Sequence, residues 1–240
     1  MTTLARIAIA VLMALFASSC NFDINFGAGK KGNGVVVEEP RNITEDFSTI
    51  SAAEGLDVFV TQDKDFSISV EADENVIDLI ATDISDGKLR IHTVENIGRA
   101  TKKIYVTLPE IQGLKSSSGA DLIVQNVIES DKLELDASSG SDLKVELVAS
   151  EVSADASSGA DIKLSGRAEV LYADASSGAD IRARDLEVKR CNAEASSGSD
   201  ISVHVTESLV ADASSGADIS YTGEASVQKR KSASGSVHKY

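Results

Sequence analysis

The chain has no tryptophan, two prolines, two cysteines and three histidines, and aromatic residues fill only 4% of its 240 positions. Each shortage narrows the reading. Few aromatic rings leave little to build a deep core or wall a cavity. The hydrophobic fraction is still 42%, carried mainly by Ala, Val, Ile and Leu, which suit packed sheets. Basic residues are also scarce. Against 38 Asp and Glu stand 23 Lys and Arg, a net charge of −15. A nucleic-acid surface needs clustered cations, so nucleic acid is not an expected partner. Two cysteines cannot build a disulfide framework. Of the histidines, His92 and His204 alternate outward on strands, and none stands beside a nucleophile in sequence. No cofactor is expected.

Long apolar runs are missing too, with one exception. "IAIAVLMALFA" (7–17) follows Arg6 and precedes "SSC", ending at Cys20. The run is too short to span a bilayer and has the form of a signal peptide. Small residues before a Cys resemble a bacterial lipobox, although Ala17 stands where Leu is usual. Residues 1–19 therefore read as a lipoprotein-type signal peptide, with Cys20 acylated as a membrane anchor in the cell envelope, at the outer membrane. The alternative is an ordinary signal peptide cut near Ser19. Residues 20–34 are rich in Gly and Asn and read as a flexible linker.

What the chain does contain is periodicity. Over 35–110 apolar and polar residues alternate. "GLDVFVTQ" (55–62) and "DFSISVEA" (65–72) predict a hairpin joined by "DKD". "ENVIDLIAT" (74–82) spaces Val76, Leu79 and Ile80 as a short helix would, with Asp73 as its N-cap. "DG" at 86–87 turns the chain into further strands at 88–94 and 103–110. This N-terminal region reads as mostly β with one short helix.

From residue 111 to 240 the chain repeats. "ADASSGADI" occurs three times unchanged, at 154–162, 173–181 and 211–219, with near copies around it. The central glycines are Gly119, Gly140, Gly159, Gly178, Gly198, Gly216 and Gly235, giving seven copies of about 19 residues. Odd offsets before each glycine share one strand face. Three before stand Ser or Ala, and five before stand Leu or Ala in all but the last copy. Three after the glycine the apolar phase resumes with Leu or Ile, from Leu122 to Ile219. Each copy is thus two strands bent at the glycine, small apolar side chains facing branched ones. Cys191 occupies an inward position and reads as a buried small hydrophobe. The fold class that follows is all-β, a parallel β-solenoid resembling a β-helix, with right-handed coils by the general preference of parallel crossovers.

The outward residues form two stacked columns of carboxylates. One holds Asp136, Asp155, Asp174, Glu194 and Asp212, bracketed by Lys115 and Lys231. The other holds Asp121, Asp142, Asp161, Asp180, Asp200 and Asp218. At about 4.8 Å between coils, neighbouring like charges repel by about 1 kcal/mol in water. The second column is a candidate calcium ladder. The competing reading has each Asp cap the N–H groups of its own turn.

"FSTISAAEGLDVFVTQDKDFSISVEADENVIDLIATDISDGKLRI" (47–91), followed by the "SSGADI" and "SSGSDI" phrases, resembles the "putative auto-transporter adhesin, head GIN domain" family over about residues 35–240. The resemblance implies a β-solenoid like those of adhesin heads, found in cell-envelope lipoproteins. It carries no site residues over. The combined expectation is a non-enzymatic envelope lipoprotein with an adhesin-like binding or structural head, meeting a protein or glycan partner. The alternatives are a glycan- or calcium-binding module, or a polysaccharide-active β-helix enzyme. Nearly uniform coils with short turns leave that enzyme little room for a groove.

Overall fold

The computed structural model describes residues 29–230 and 234–240. The signal peptide, Cys20, most of the linker and Lys231 lie outside the described residues. Seven strands precede the repeats: β1 (Val36–Pro40), β2 (Thr49–Ala52), β3 (Asp57–Gln62), β4 (Ser67–Asp73), β5 (Ile80–Ser85), β6 (Lys88–Thr93) and β7 (Lys102–Leu108). Ten follow: β8 (Gly113–Ser117), β9 (Asp121–Val124), β10 (Ile128–Ser138), β11 (Asp142–Ser157), β12 (Asp161–Ala175), β13 (Asp180–Ala195), β14 (Asp200–Ala213), β15 (Asp218–Thr222), β16 (Ser226–Lys229) and β17 (Ser236–Lys239).

These strands stack into a flattened parallel solenoid with two walls. Wall A, formed by residues before each glycine corner, runs β5-β6-β2-β8-β10-β11-β12-β13-β14-β16. Wall B, formed by residues after it, runs β1-β4-β7-β3-β9-β11-β12-β13-β14-β15-β17. Strands β11 to β14 are long because each runs along wall B, bends at the far edge and returns along wall A. The columns read from the sequence are in register: Ala154 pairs with Ala173, and Leu143 with Ile162. Both inner faces join one buried cluster that includes Leu135, Ala154, Ala173, Ile162 and Ile181. With small Ala on one wall and branched Ile on the other, the space between the walls is narrow and aromatic rings are not needed to fill it. Cys191 lies in this cluster.

Six corners share one backbone shape. In each, Ser and the following Gly both take positive φ, as Ser158 (54°) and Gly159 (71°) do. The N–H of Ala160 donates to the carbonyl of Ser157 at 3.2 Å, closing a turn of the type that needs two left-handed residues. The residue after Gly turns inward and is buried. A seventh such corner lies in the N-terminal region: Glu54 (64°) and Gly55 (65°) bend β2 into β3. This coil stacks directly on the first repeat, β2 on β8 and β3 on β9.

Three expectations are corrected. The short helix is absent, and residues 77–79 form a lone 3-10 turn with no side-chain cap. Asp73 is buried and instead accepts hydrogen bonds from the N–H of Gly34 and, at 2.7 Å, from that of Thr101. Those bonds hold its carboxyl below the usual range. The apolar run at 80–82 then continues as β5, turning at Asp86-Gly87 to pair antiparallel with β6. Second, β3 and β4 do not form a hairpin, because β7 lies between them, parallel to β3 and antiparallel to β4. Third, the seventh copy is out of step by one. Val227, eight residues before Gly235, pairs with Leu209, and Val237, two residues after it, pairs with Ile219. Gly235 accordingly lacks the positive φ of the other six. A one-residue shift moves Val227 and Val237 inward, where they pack against the core.

Candidate binding face

The outer face of wall B is two straight columns of side chains. Following the paired registers from the N-terminal end, the first reads Glu38, Glu71, Lys103, Asp57, Asp121, Asp142, Asp161, Asp180, Asp200 and Asp218. The six aspartates expected from the repeats are therefore aligned, and Asp57 extends them. It stands two residues after Gly55, as the others stand two after their glycines. "AAEGLDV" carried that signal, masked by Glu54 and Leu56 replacing Ser and Ala.

None of the six repeat aspartates accepts a hydrogen bond from an N–H of its own turn. The backbone explains why those donors are taken. The N–H of Asp161 donates to Ser141 O at 2.9 Å and that of Gly159 to Ser177 O at 3.2 Å, so adjacent coils use them. The carboxylates instead face each other. Burial, then Asp142 and Asp57, push the Asp121 carboxyl up. Burial raises Asp161, with Arg182 opposing, and burial followed by Asp180 and Asp218 raises Asp200. On wall A the same holds for Asp155 and Asp174, where burial leads and the neighbouring acids follow.

The offset to this repulsion is a second column that the sequence reading missed. Two residues beyond Asp142, Asp161 and Asp180, on the same face, stand Lys144, Lys163 and Arg182 in register, and Ser202 and Ser220 continue the column. The phrases "SDLK", "ADIK" and "ADIR" display it. Arg182 bridges two rungs, reaching Asp180 at 2.7 Å and Asp161 at 3.2 Å. On wall A, Lys115 meets Asp136 at 3.6 Å and Arg230 meets Glu194 at 3.3 Å.

One recess interrupts the face. Register shifts in β13 between Ala183 and Glu187. There Arg184 sits 3.9 Å from the Tyr240 ring centre and donates to Ser220 Oγ at 3.0 Å. With Arg182, Ser202 and His238 they line a hollow of about 560 Å³. At the far edge, where the first repeat is longest, an open groove of about 1090 Å³ is lined by Glu110, Glu129, Asp131, Lys132 and Glu134.

The face gathers no catalytic set from the candidates. His92 lies near Asp83 (3.7 Å), His204 near the Thr222 hydroxyl (2.8 Å) and His238 near Asp218 (3.2 Å), on separate strands. Burial pushes the Cys191 thiol up to about 12, away from thiolate chemistry. Among the described residues, no three His, Cys, Asp or Glu converge to hold a metal ion. Also among them, no helix is long and apolar enough to cross a membrane.

Comparison with known proteins agrees with this architecture. A "putative adhesin" from Bacteroides fragilis superposes with a TM-score of 0.79 at 19% identity, covering 88% of this chain and 100% of its own. A "putative adhesin" from Parabacteroides merdae gives 0.72 at 22% identity, covering 88% and 98%. A "putative lipid binding protein" from Parabacteroides distasonis gives 0.70 at 22%, again covering 88% and 98%. At these identities the likeness is one of fold. Among curated proteins none matches this sequence. The family model described as "Putative auto-transporter adhesin, head GIN domain" matches residues 46–225, well over half of the chain, and the chain belongs to that family.

Proposed function

We propose that this protein is an exported, non-enzymatic envelope lipoprotein, held to the outer membrane through Cys20, whose solenoid head binds a partner along the outer face of wall B. The observation that carries the reading is the pair of registered columns, six stacked aspartates with Lys144, Lys163 and Arg182 beside them on three successive coils. A long flat surface with one chemical pattern fits an extended partner better than a small substrate, which needs convergent groups in a pocket. The family, and the proteins of like fold described as "putative adhesin", support an exposed role.

Two experiments test it. Changing Asp161, Asp180, Lys163 and Arg182 together to Asn, Asn, Gln and Gln reduces binding of the bead-coupled full chain to isolated envelope fragments by at least about tenfold, or about 1.4 kcal/mol. Melting stays within a few degrees. Unchanged binding makes the face inert and the solenoid a spacer. Separately, Cys20→Ser abolishes incorporation of labelled fatty acid and releases the chain from the membrane fraction. An unlabelled parent chain overturns the anchor.

A further inference from the structure

The outer face of wall B is regular over the repeats and irregular at its N-terminal end. There the second column reads Pro40, Ser69, Tyr105, Phe59 and Ile123 before Lys144 begins the cations. Three consecutive rungs carry ring or branched apolar side chains where the repeats carry Lys, Arg or Ser. The fold does not require this, since the same position on later rungs is polar. Phe59 and Tyr105 stack with ring centres 5.3 Å apart and planes 20° apart. Tyr105 remains 38% exposed. Its neighbour on the side away from Phe59 is Ser69, which offers that side only a hydroxymethyl group.

The ring is also held. The Tyr105 hydroxyl donates to Glu71 Oε2 at 3.2 Å, and Lys103 Nζ donates to Glu71 Oε1 at 3.1 Å. Ser69 Oγ donates to Glu38 Oε1 at 2.7 Å. A fixed aromatic face rimmed by carboxylates and a hydroxyl is the chemistry that recognises a sugar. The electron-poor C–H groups of a pyranose pack on the electron-rich ring face, and its hydroxyls donate to ionised acceptors. Charge narrows the class. The neighbouring acidic column and the net charge of −15 repel uronate and other acidic sugars. A peptide adding as a strand has no opening here, because β4 and β7 are each paired on both sides.

We infer that Tyr105, backed by Phe59 and rimmed by Glu38, Ser69 and Glu71, is a subsite for a neutral saccharide. The inference rests on the binding-module reading and adds a place and a ligand class. Its test is titration of the full chain, in a detergent without sugar head groups. The probes are neutral hexose and N-acetylhexosamine oligosaccharides, with uronate-containing oligosaccharides as the acidic arm. Binding is expected in the neutral arm. It weakens at least about tenfold in Tyr105→Ser and in Ser69→Leu, which covers the ring without removing it. Tyr105→Phe, which keeps the ring, stays within about threefold. Melting curves confirm that the variants are folded. Ser69→Leu, at a partly exposed position, keeps the test decisive should Tyr105→Ser fail to fold. No binding in the neutral arm, preference for the acidic arm, or full binding by Ser69→Leu overturns the subsite. Those outcomes leave the envelope-fragment result standing, since that variant alters Asp161, Lys163, Asp180 and Arg182 and none of these residues.

Discussion

At a corner, Gly159 is chosen for backbone conformation alone. Its φ is +71°, and a Cβ built there meets nothing within 4 Å. Replacing it with Ala therefore costs only the left-handed conformation of an L-residue, about 1–2 kcal/mol. Ser158 already bears that cost beside it at φ 54°. Gly166 is a different case. It sits in β12 at φ +109°, and an added Cβ lies 2.0 Å from Leu147 O on the adjacent coil. That atom is backbone in a registered ladder, so relief requires moving a rung. Gly166→Ala is expected to lower stability by more than about 3 kcal/mol, against about 1–2 for Gly159→Ala, read from urea midpoints. Equal losses would show that the ladder yields easily at that edge. The repeat phrase pointed to Gly159. Gly166 lies outside the phrase, and its need arises only from the neighbouring strand.

Among the elements, the aspartate column sets the pH response. Asp121, Asp161 and Asp200 on wall B, and Asp155 and Asp174 on wall A, have carboxyls raised above the ordinary 3.8. A carboxyl with a higher pKa when folded binds its proton more tightly in the folded state. Stability therefore rises as pH falls through the folded pKa, and the gain is complete below the unfolded value. Asp73 and Glu54 have the opposite sign. At Glu54 burial opposes, but bonds from the Thr93 hydroxyl and N–H hold its pKa down. Their contribution is lost as pH falls below the usual carboxylate range. Melting temperature should thus climb by a few degrees as pH falls from 7 toward the ordinary aspartate value of 3.8, and drop below it. Arg182→Gln should steepen the climb while costing at most about 1 kcal/mol at neutral pH, since the pair is exposed. A flat profile would mean the columns are fully screened. Much of this was legible: repetition forces equivalent residues into line, so spacing alone located the six aspartates. The order of the N-terminal strands was not. Alternation marks β3 and β4 as strands but says nothing of β7 coming between them, and it cannot place Phe59 beside Tyr105 from 46 residues away.

For the whole molecule, stability is close to one-dimensional. Each coil contacts the coils above and below, so its resistance to opening is its own term plus its interfaces. Interior coils have two interfaces. Strands β12 and β13 are paired along both edges, and their inward residues Ile162, Leu171, Ala173 and Ile181 are 3% exposed or less. Among the described residues, the C-terminal coil has one interface. Strands β16 and β17 are four residues each, their inward Val227 and Val237 are only partly buried, and Lys229 and Lys239 stand on these edge strands. Edge lysines discourage pairing with another chain but add no core. Opening should begin there and stop where two-sided burial begins. Amide hydrogen exchange followed by mass spectrometry is expected to show peptides covering β16 and β17 exchanging at least about a hundredfold faster than those covering β12 and β13, a gap of about 2.7 kcal/mol. Ala173→Asp buries an unpaired charge in the narrow core. It should speed exchange in β11, β12 and β13 together, whereas Val237→Asp should affect only the last coil. Uniform exchange along the stack in the parent protein would show that the solenoid opens as one unit, with interfaces strong enough to erase the difference between its middle and its end.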